Sequence, residues 1–124
     1  MQNLALARAR NALDARPSLQ RQEGEGDALA AYASLILNNG LLPTLAYSIQ
    51  KQKQHLAVAN AIASHLRILG CIRLEPKKEE NQASALLRAL AEPAQGQPFA
   101  DAALLQRCTE ESLLYLNYLR RLAT

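Results

Sequence analysis

Apolar residues recur along this chain at intervals of three and four, with polar residues between them, which is the rhythm of helices that bury one face. The first such stretch covers about residues 2–15. A second opens at Asp27, whose side-chain oxygen suits an N-cap, and carries the stripe Leu29, Tyr32, Ala33 and Ile36 before stopping at Asn38-Asn39-Gly40. Gly40 is expected at C′ in the left-handed conformation, Leu41 in the apolar position after it, and Pro43 in the first turn of a third helix. That helix runs to about Lys53 and should bury Leu42, Leu45, Ala46 and Ile49. A fourth, about 54–70, presents Leu56, Ala59, Ile62, Leu66 and Leu69 to the core and Asn60, Ser64 and Arg67 to the other side, with Gly70 able to end it. A fifth spans about 81–91, and the last begins near Phe99 with a break expected at Thr109, a candidate N-cap.

Three stretches interrupt the rhythm. They are "RPSLQRQEGEGD" (16–27, with Pro17, Gly24 and Gly26), "LEPKKEENQ" (74–82) and "EPAQGQP" (92–98), which read as linkers. The pattern therefore predicts an all-α, single-domain bundle of about six helices over 1–124. Composition agrees: 49% of residues are hydrophobic but only 4% aromatic, and Leu and Ala supply most of the rest, a bias toward helix over strand. The first sixteen residues contain no unbroken apolar run of leader type and nothing near the ~20 residues of a membrane helix. Asp14 and the scarcity of Ser argue against an Arg-rich presequence, so a cytoplasmic protein is expected. Cys71 and Cys108 lie far apart in sequence and favour reduced, buried thiols over a disulfide.

Candidate chemistry is sparse. His55 and His65 are ten positions apart, roughly 80° around a helix, with no third ligand in reach; they read as surface or boundary histidines, and no metal or cofactor is expected. Glu110 and Glu111 are adjacent and point about 100° apart, so they cannot act on one bond and read as solvated charges, as do Glu79 and Glu80 among their lysines. With no nucleophile elbow and no Ser–His pair, the chain is not expected to be an enzyme. Basic residues are the remaining signal, for the net charge is +3. Lys51, Lys53, Arg67, Arg73, Arg120 and Arg121 are the candidates for a face that neutralises phosphates, with Lys77 and Lys78 nearby in a linker. The helix–turn–helix outline around Gly40 does not extend to sequence-specific DNA reading. The start of its second helix holds Leu41, Leu42, Pro43 and Thr44, where Arg, Asn, Gln or Lys would be needed.

The segment "YASLILNNGLLPTLAY" resembles a signature of the small subunit of the Cmr complex, the type III-B CRISPR effector that targets RNA. In that family a helix ends in an Asn-Gly-Leu turn followed by a Leu-Ala-aromatic segment, and Asn39, Gly40, Leu41, Thr44, Leu45, Ala46 and Tyr47 match in order. The end of the chain, "TEESLLYLNYLRRLA", is similar to the family's closing helix through Thr109, Glu111, Tyr118, Leu119, Arg120, Arg121 and Ala123. Tyr118 stands where Trp is common, Tyr47 where Phe is common, and the proline often found before the turn is absent. The resemblance covers about a third of the chain. It implies a non-catalytic subunit of an antiviral ribonucleoprotein. Copies would stack beside the backbone and large subunits as a minor filament, with basic faces along the groove where crRNA pairs with target RNA. A helical adaptor that binds only protein is the alternative from the residues alone.

Overall fold

The computed structural model describes residues 3–19, 27–93 and 96–123. Its elements are α1 (Leu4–Ala15), a 3-10 turn (Arg16–Leu19), α2 (Ala28–Asn39), α3 (Leu41–Lys51), α4 (Lys53–Leu69), α5 (Gln82–Ala91) and α6 (Ala102–Leu122), with no strand among the described residues. Gln2, Gly24, Gly26 and part of the linker before α6 lie outside the described residues.

Helix starts follow short polar side chains that accept orphan backbone N–H groups. Asn3 accepts from Leu6, Asp27 from Ala30, Asn81 from Ser84 and Asp101 from Leu104, at 2.7–3.2 Å. Gly70 ends α4 in the left-handed conformation, and its N–H and that of Cys71 close back on Arg67 and Leu66. Gly40 also has positive φ, but ψ of 164° places it in the extended region open almost only to glycine, not at the left-handed C′ geometry. The reason is the abruptness of the turn, since α3 starts on the very next residue. Thr44 then donates its hydroxyl to the Gly40 carbonyl at 2.8 Å, holding the corner shut.

α4 is the hub: it packs against α1, α2, α3, α5 and α6. Its inward stripe Val58, Ala59, Ile62 and Leu66 is fully buried and meets Tyr32 of α2, Leu45 of α3, Leu86 and Leu90 of α5, and Tyr115, Leu116 and Leu119 of α6 in one apolar cluster. Each fully buried Leu or Ile contributes about 1.5–3 kcal/mol relative to exposure. Two polar residues of α4 also fix its neighbours: Gln54 accepts from the N–H of Ala28 at 2.8 Å, and Asn60 from that of Ala83 at 2.9 Å. In α3 the buried face is Leu41, Thr44, Leu45 and Ser48, while Ala46 is exposed and Leu42 half-buried. Ser48 gives its proton to the Thr44 carbonyl and so accepts one from Tyr32, which lets three polar groups enter the core.

Two boundaries differ from the sequence pattern. α3 ends at Lys51, because Gln52 turns sharply (φ 66°, ψ −164°) and α4 begins at Lys53. α6 is one unbroken helix of 21 residues; Thr109 is inside it, donating its hydroxyl to the Leu105 carbonyl at 2.7 Å. No Gly or Pro interrupts that stretch, and the buried stripe Cys108, Ser112, Tyr115 and Leu119 runs straight through it. Cys71 and Cys108 are free thiols, one half-buried and one buried. Burial pushes Cys108 up to about 11, so it stays a neutral thiol.

Candidate functional site

The six basic candidates are all exposed, and the fold distributes them over three places. Lys51 and Lys53 flank the Gln52 turn between α3 and α4. Arg67 sits in the last turn of α4, its Nε 3.4 Å from Gln82, and Arg73 on the segment that follows, in a loose and exposed pairing with Glu75 at 3.7 Å. Arg120 and Arg121 occupy the last turn of α6, where the helix dipole favours positive charge. Lys53 and Arg67 are fourteen positions apart on α4, hence about 21 Å along the axis and within roughly 40° around it. They share a side of that helix with Asn60 midway between them. Arg121 instead borders a cleft between α1 and α6 with Arg8, Leu114, Tyr118 and Leu122.

Two acidic residues read from the sequence as solvated charges, Glu80 and Glu111, are instead bound to arginines outside the candidate set. Glu80 is half-buried and engaged with Arg88 at 2.8 Å, and it also accepts from the Lys77 N–H; Arg88 first and then that backbone bond hold its carboxyl down at about 2. Glu111 is a correction to the expectation of a solvated charge. It is buried, and it accepts from Arg8 Nε at 2.8 Å, from Arg8 Nη2 at 2.7 Å and from His65 Nε2 at 2.9 Å. His65 is likewise no surface histidine: it is 1% exposed, stacked flat on Tyr115 with ring centroids 3.8 Å apart, and its Nδ1 meets the Asn11 amide at 2.9 Å. His55 is the boundary residue expected, half-buried and edge-on to Tyr47.

The network Asn11–His65–Glu111–Arg8 has one self-consistent proton arrangement. The Asn11 amide donates to Nδ1, neutral His65 donates from Nε2, and Glu111 accepts from three N–H groups. Burial lowers the His65 pKa and outweighs the opposite pull of Glu111. For Glu111, burial works to raise the pKa, but the hydrogen bonds from Arg8 and His65 outweigh it and the carboxyl falls below its ordinary value. Each of these groups holds fewer protons folded than unfolded at the same pH, so stability rises with pH across both titrations. The His65 contribution is complete above its unfolded value of ~6.5 and is lost as pH falls toward the lower folded one; the Glu111 contribution goes the same way from ~4.3 downward. Thermal melts of the wild-type chain should therefore move to lower temperature on acidification from about pH 7 to 5, and His65→Gln should flatten that limb. An identical pH profile in the variant would remove His65 as its source.

The Asn-Gly-Leu corner carries surface as well as core. Leu35, Asn39, Pro43, Thr44 and Tyr47 border a shallow depression, with Tyr47 exposed at it; Leu37 is exposed elsewhere on α2. Further exposed apolar side chains are Leu6 and Leu13 on α1 and Phe99 before α6. No group of three His, Cys, Asp or Glu able to hold a metal comes together among the described residues, and none of the described helices is long and apolar enough to cross a membrane.

The buried network was missed by reading positions singly, although Glu111 is itself part of the closing-helix motif. No curated protein and no solved structure matches the chain. A family model does, over residues 4–124, which takes in both motifs, the network and every basic candidate. The chain belongs to the family of CRISPR-associated proteins described as Cas_Cmr5.

Proposed function

We propose that this chain is the small, non-catalytic subunit of a type III-B Cmr effector, holding the backbone of the crRNA–target duplex through exposed basic residues. The observation that carries the reading is the family match over nearly the whole chain, in a protein whose six candidate cations are all exposed. Electrostatic bookkeeping supports it: two carboxylates, Glu80 and Glu111, are bound to arginines outside the candidate set. The exposed apolar residues Leu6, Leu13, Leu37 and Phe99 suit contacts with further copies and with the backbone and large subunits. Sequence is then read by base pairing, and the protein contributes charge and shape.

One subunit offers few phosphate contacts, so binding of the isolated chain to RNA should be weak, indifferent to sequence and steeply salt-dependent. Several subunits on one strand multiply the effect, so affinity should grow with RNA length and within the assembled complex. Arg120→Glu with Arg121→Glu is expected to weaken target capture by the complex, and each lost contact should flatten the log–log salt slope by about 0.7. Folding of the variant is checked by its melt, since both arginines complement a helix end. Normal capture and slope in a folded, incorporated variant would remove the two arginines from the RNA face. An isolated chain and complex with no salt-dependent RNA affinity from this subunit would favour the protein-only adaptor.

A further inference from the structure

A groove of about 540 Å³ lies between α1 and its 3-10 turn on one side and α4 and the start of α5 on the other, a size within the ~300–1,000 Å³ typical of small-ligand sites. It adjoins the basic positions of α4, since Arg67 reaches Gln82 of its lining, but among the described residues no Lys or Arg borders it directly. Its floor is the stacked pair His65 and Tyr115. Tyr115 is 1% exposed as a residue, and its hydroxyl, which makes no hydrogen bond among the described residues, is not a fully buried atom and so can be reached from the groove. A hydroxyl that reaches the groove and has no protein partner is available to bond a ligand there.

Other polar groups in the groove are unspent in the same way. Asp14, close enough to act on Tyr115 electrostatically, has no hydrogen-bond or ion-pair partner among the described residues, and neither has Ser64. Asn60 uses only its oxygen, on Ala83, which leaves its amide N–H groups; Asn11 uses only its nitrogen, on His65, which leaves its oxygen. Glu80 at the rim is already neutralised by Arg88. Ser18, Asn81 and Gln82 add further polar edge, and Ala15 with Ala57, Ala61 and Ile68 of α4 forms the apolar wall.

Among the described lining residues a phosphate would meet the Asp14 carboxylate and no cation. The complementary ligand is flat and uncharged, with paired N–H donors for Asp14 and acceptors for Asn60 and the hydroxyls. Guanine has that edge: N1–H and the N2 amino group lie side by side and can fork onto a carboxylate as a guanidinium does, while O6 and N7 accept. Adenine and cytosine put a ring acceptor beside their amino group, and uracil flanks its single N–H with two carbonyls, so each would turn a lone pair toward Asp14. We propose that this groove is a guanine-binding site, with Asp14, Tyr115, Asn60 and Ser64 as its reading groups. The guanine can come from a free nucleotide or from an unstacked residue of an RNA strand. Recognition of unpaired bases on their hydrogen-bonding edges is how single-stranded RNA is ordinarily read.

The test is an amide-resolved NMR titration of the purified chain with guanosine, adenosine, cytidine and uridine, followed by short single-stranded RNAs with and without one guanine. Guanosine should shift the Asn60 and Ser64 signals saturably and bind about tenfold or more tightly than the other three. Asp14→Asn, at an exposed position that cannot harm the core, should weaken it about tenfold or more, and Tyr115→Phe by roughly threefold to tenfold with the fold retained. Binding of guanosine but not of guanine in a strand would assign the free nucleotide as the source, and Asp14-dependent binding of the guanine strand alone would assign the RNA. The proposal falls if neither probe binds, if the four nucleosides bind alike, or if Asp14→Asn leaves affinity unchanged. It also falls if argininamide occupies the groove in preference to guanosine, which would make it a seat for a partner protein's cation.

Discussion

Glu111→Ala loses about 3–5 kcal/mol of folding stability, out of a total of about 6–18 kcal/mol for a chain of this length. The side chain is buried and satisfies three N–H donors at once, two from Arg8 and one from His65. Truncation leaves the Arg8 guanidinium, only 14% exposed at its side chain, without its counter-ion, and leaves the His65 N–H without an acceptor. Losing one partner of a buried pair costs more than the pair itself is worth, because the survivor stays desolvated. Glu111→Gln keeps the volume and one acceptor but turns an amide N–H₂ toward one of three donors, so its loss should be smaller. Arg8→Leu combined with Glu111→Leu removes both charges and should recover part of the loss seen in Glu111→Ala. Denaturant melts of the four proteins at neutral pH measure this series. A change within about 0.5 kcal/mol for Glu111→Ala, the usual scale for exposed positions, would mean that the carboxylate is solvated after all.

That network also marks the limit of what the sequence discloses. Helix content was legible because Leu and Ala at intervals of three and four leave little else to form, and Asp27, Gly40 and Gly70 end or begin helices by side-chain chemistry local to them. Glu111 and His65 were misread because each was weighed as a charge or a ligand, not as a position on a stripe. Glu111 lies three residues after buried Cys108 and four before Tyr115, and His65 three after Ile62, so periodicity alone puts both facing inward. What periodicity cannot supply is the partners: the bonds that satisfy them span sequence separations of 103, 54 and 46 residues. The α3–α4 boundary was placed within two residues, but the sharpness of its turn at Gln52 was not legible. No Gly, Pro, Asn or Asp announces it, and tertiary packing of two helices on α5 imposes a conformation that glutamine does not favour.

Gly40→Val lowers stability by about 1–3 kcal/mol through backbone strain, and Gln52→Gly moves in the opposite direction. At Gly40 (φ 87°, ψ 164°) the added side chain does not lack room: a Cβ would come no closer than 3.7 Å to another atom, the ring Cδ of Pro43. The cost lies in the conformation, which side chains with a Cβ almost never adopt and β-branched ones least of all. Relaxing it would turn the α2–α3 corner and pull Leu41 and the Thr44–Gly40 hydrogen bond out of place, so the chain keeps the strain. Gln52 already sits in nearly the same region (φ 66°, ψ −164°). Glycine there relieves about 1–3 kcal/mol of strain. Against that it adds unfolded-state entropy worth about 0.5–1 kcal/mol and gives up an exposed bond from the Gln52 amide to Ile49. The net expectation is a modest rise in melting temperature for Gln52→Gly and a clear fall for Gly40→Val, read in parallel thermal melts. Equal melting temperatures for Gly40→Val and wild type would mean that the corner adopts a geometry open to any residue. A Gln52→Gly protein less stable than its parent would say the same of the α3–α4 turn.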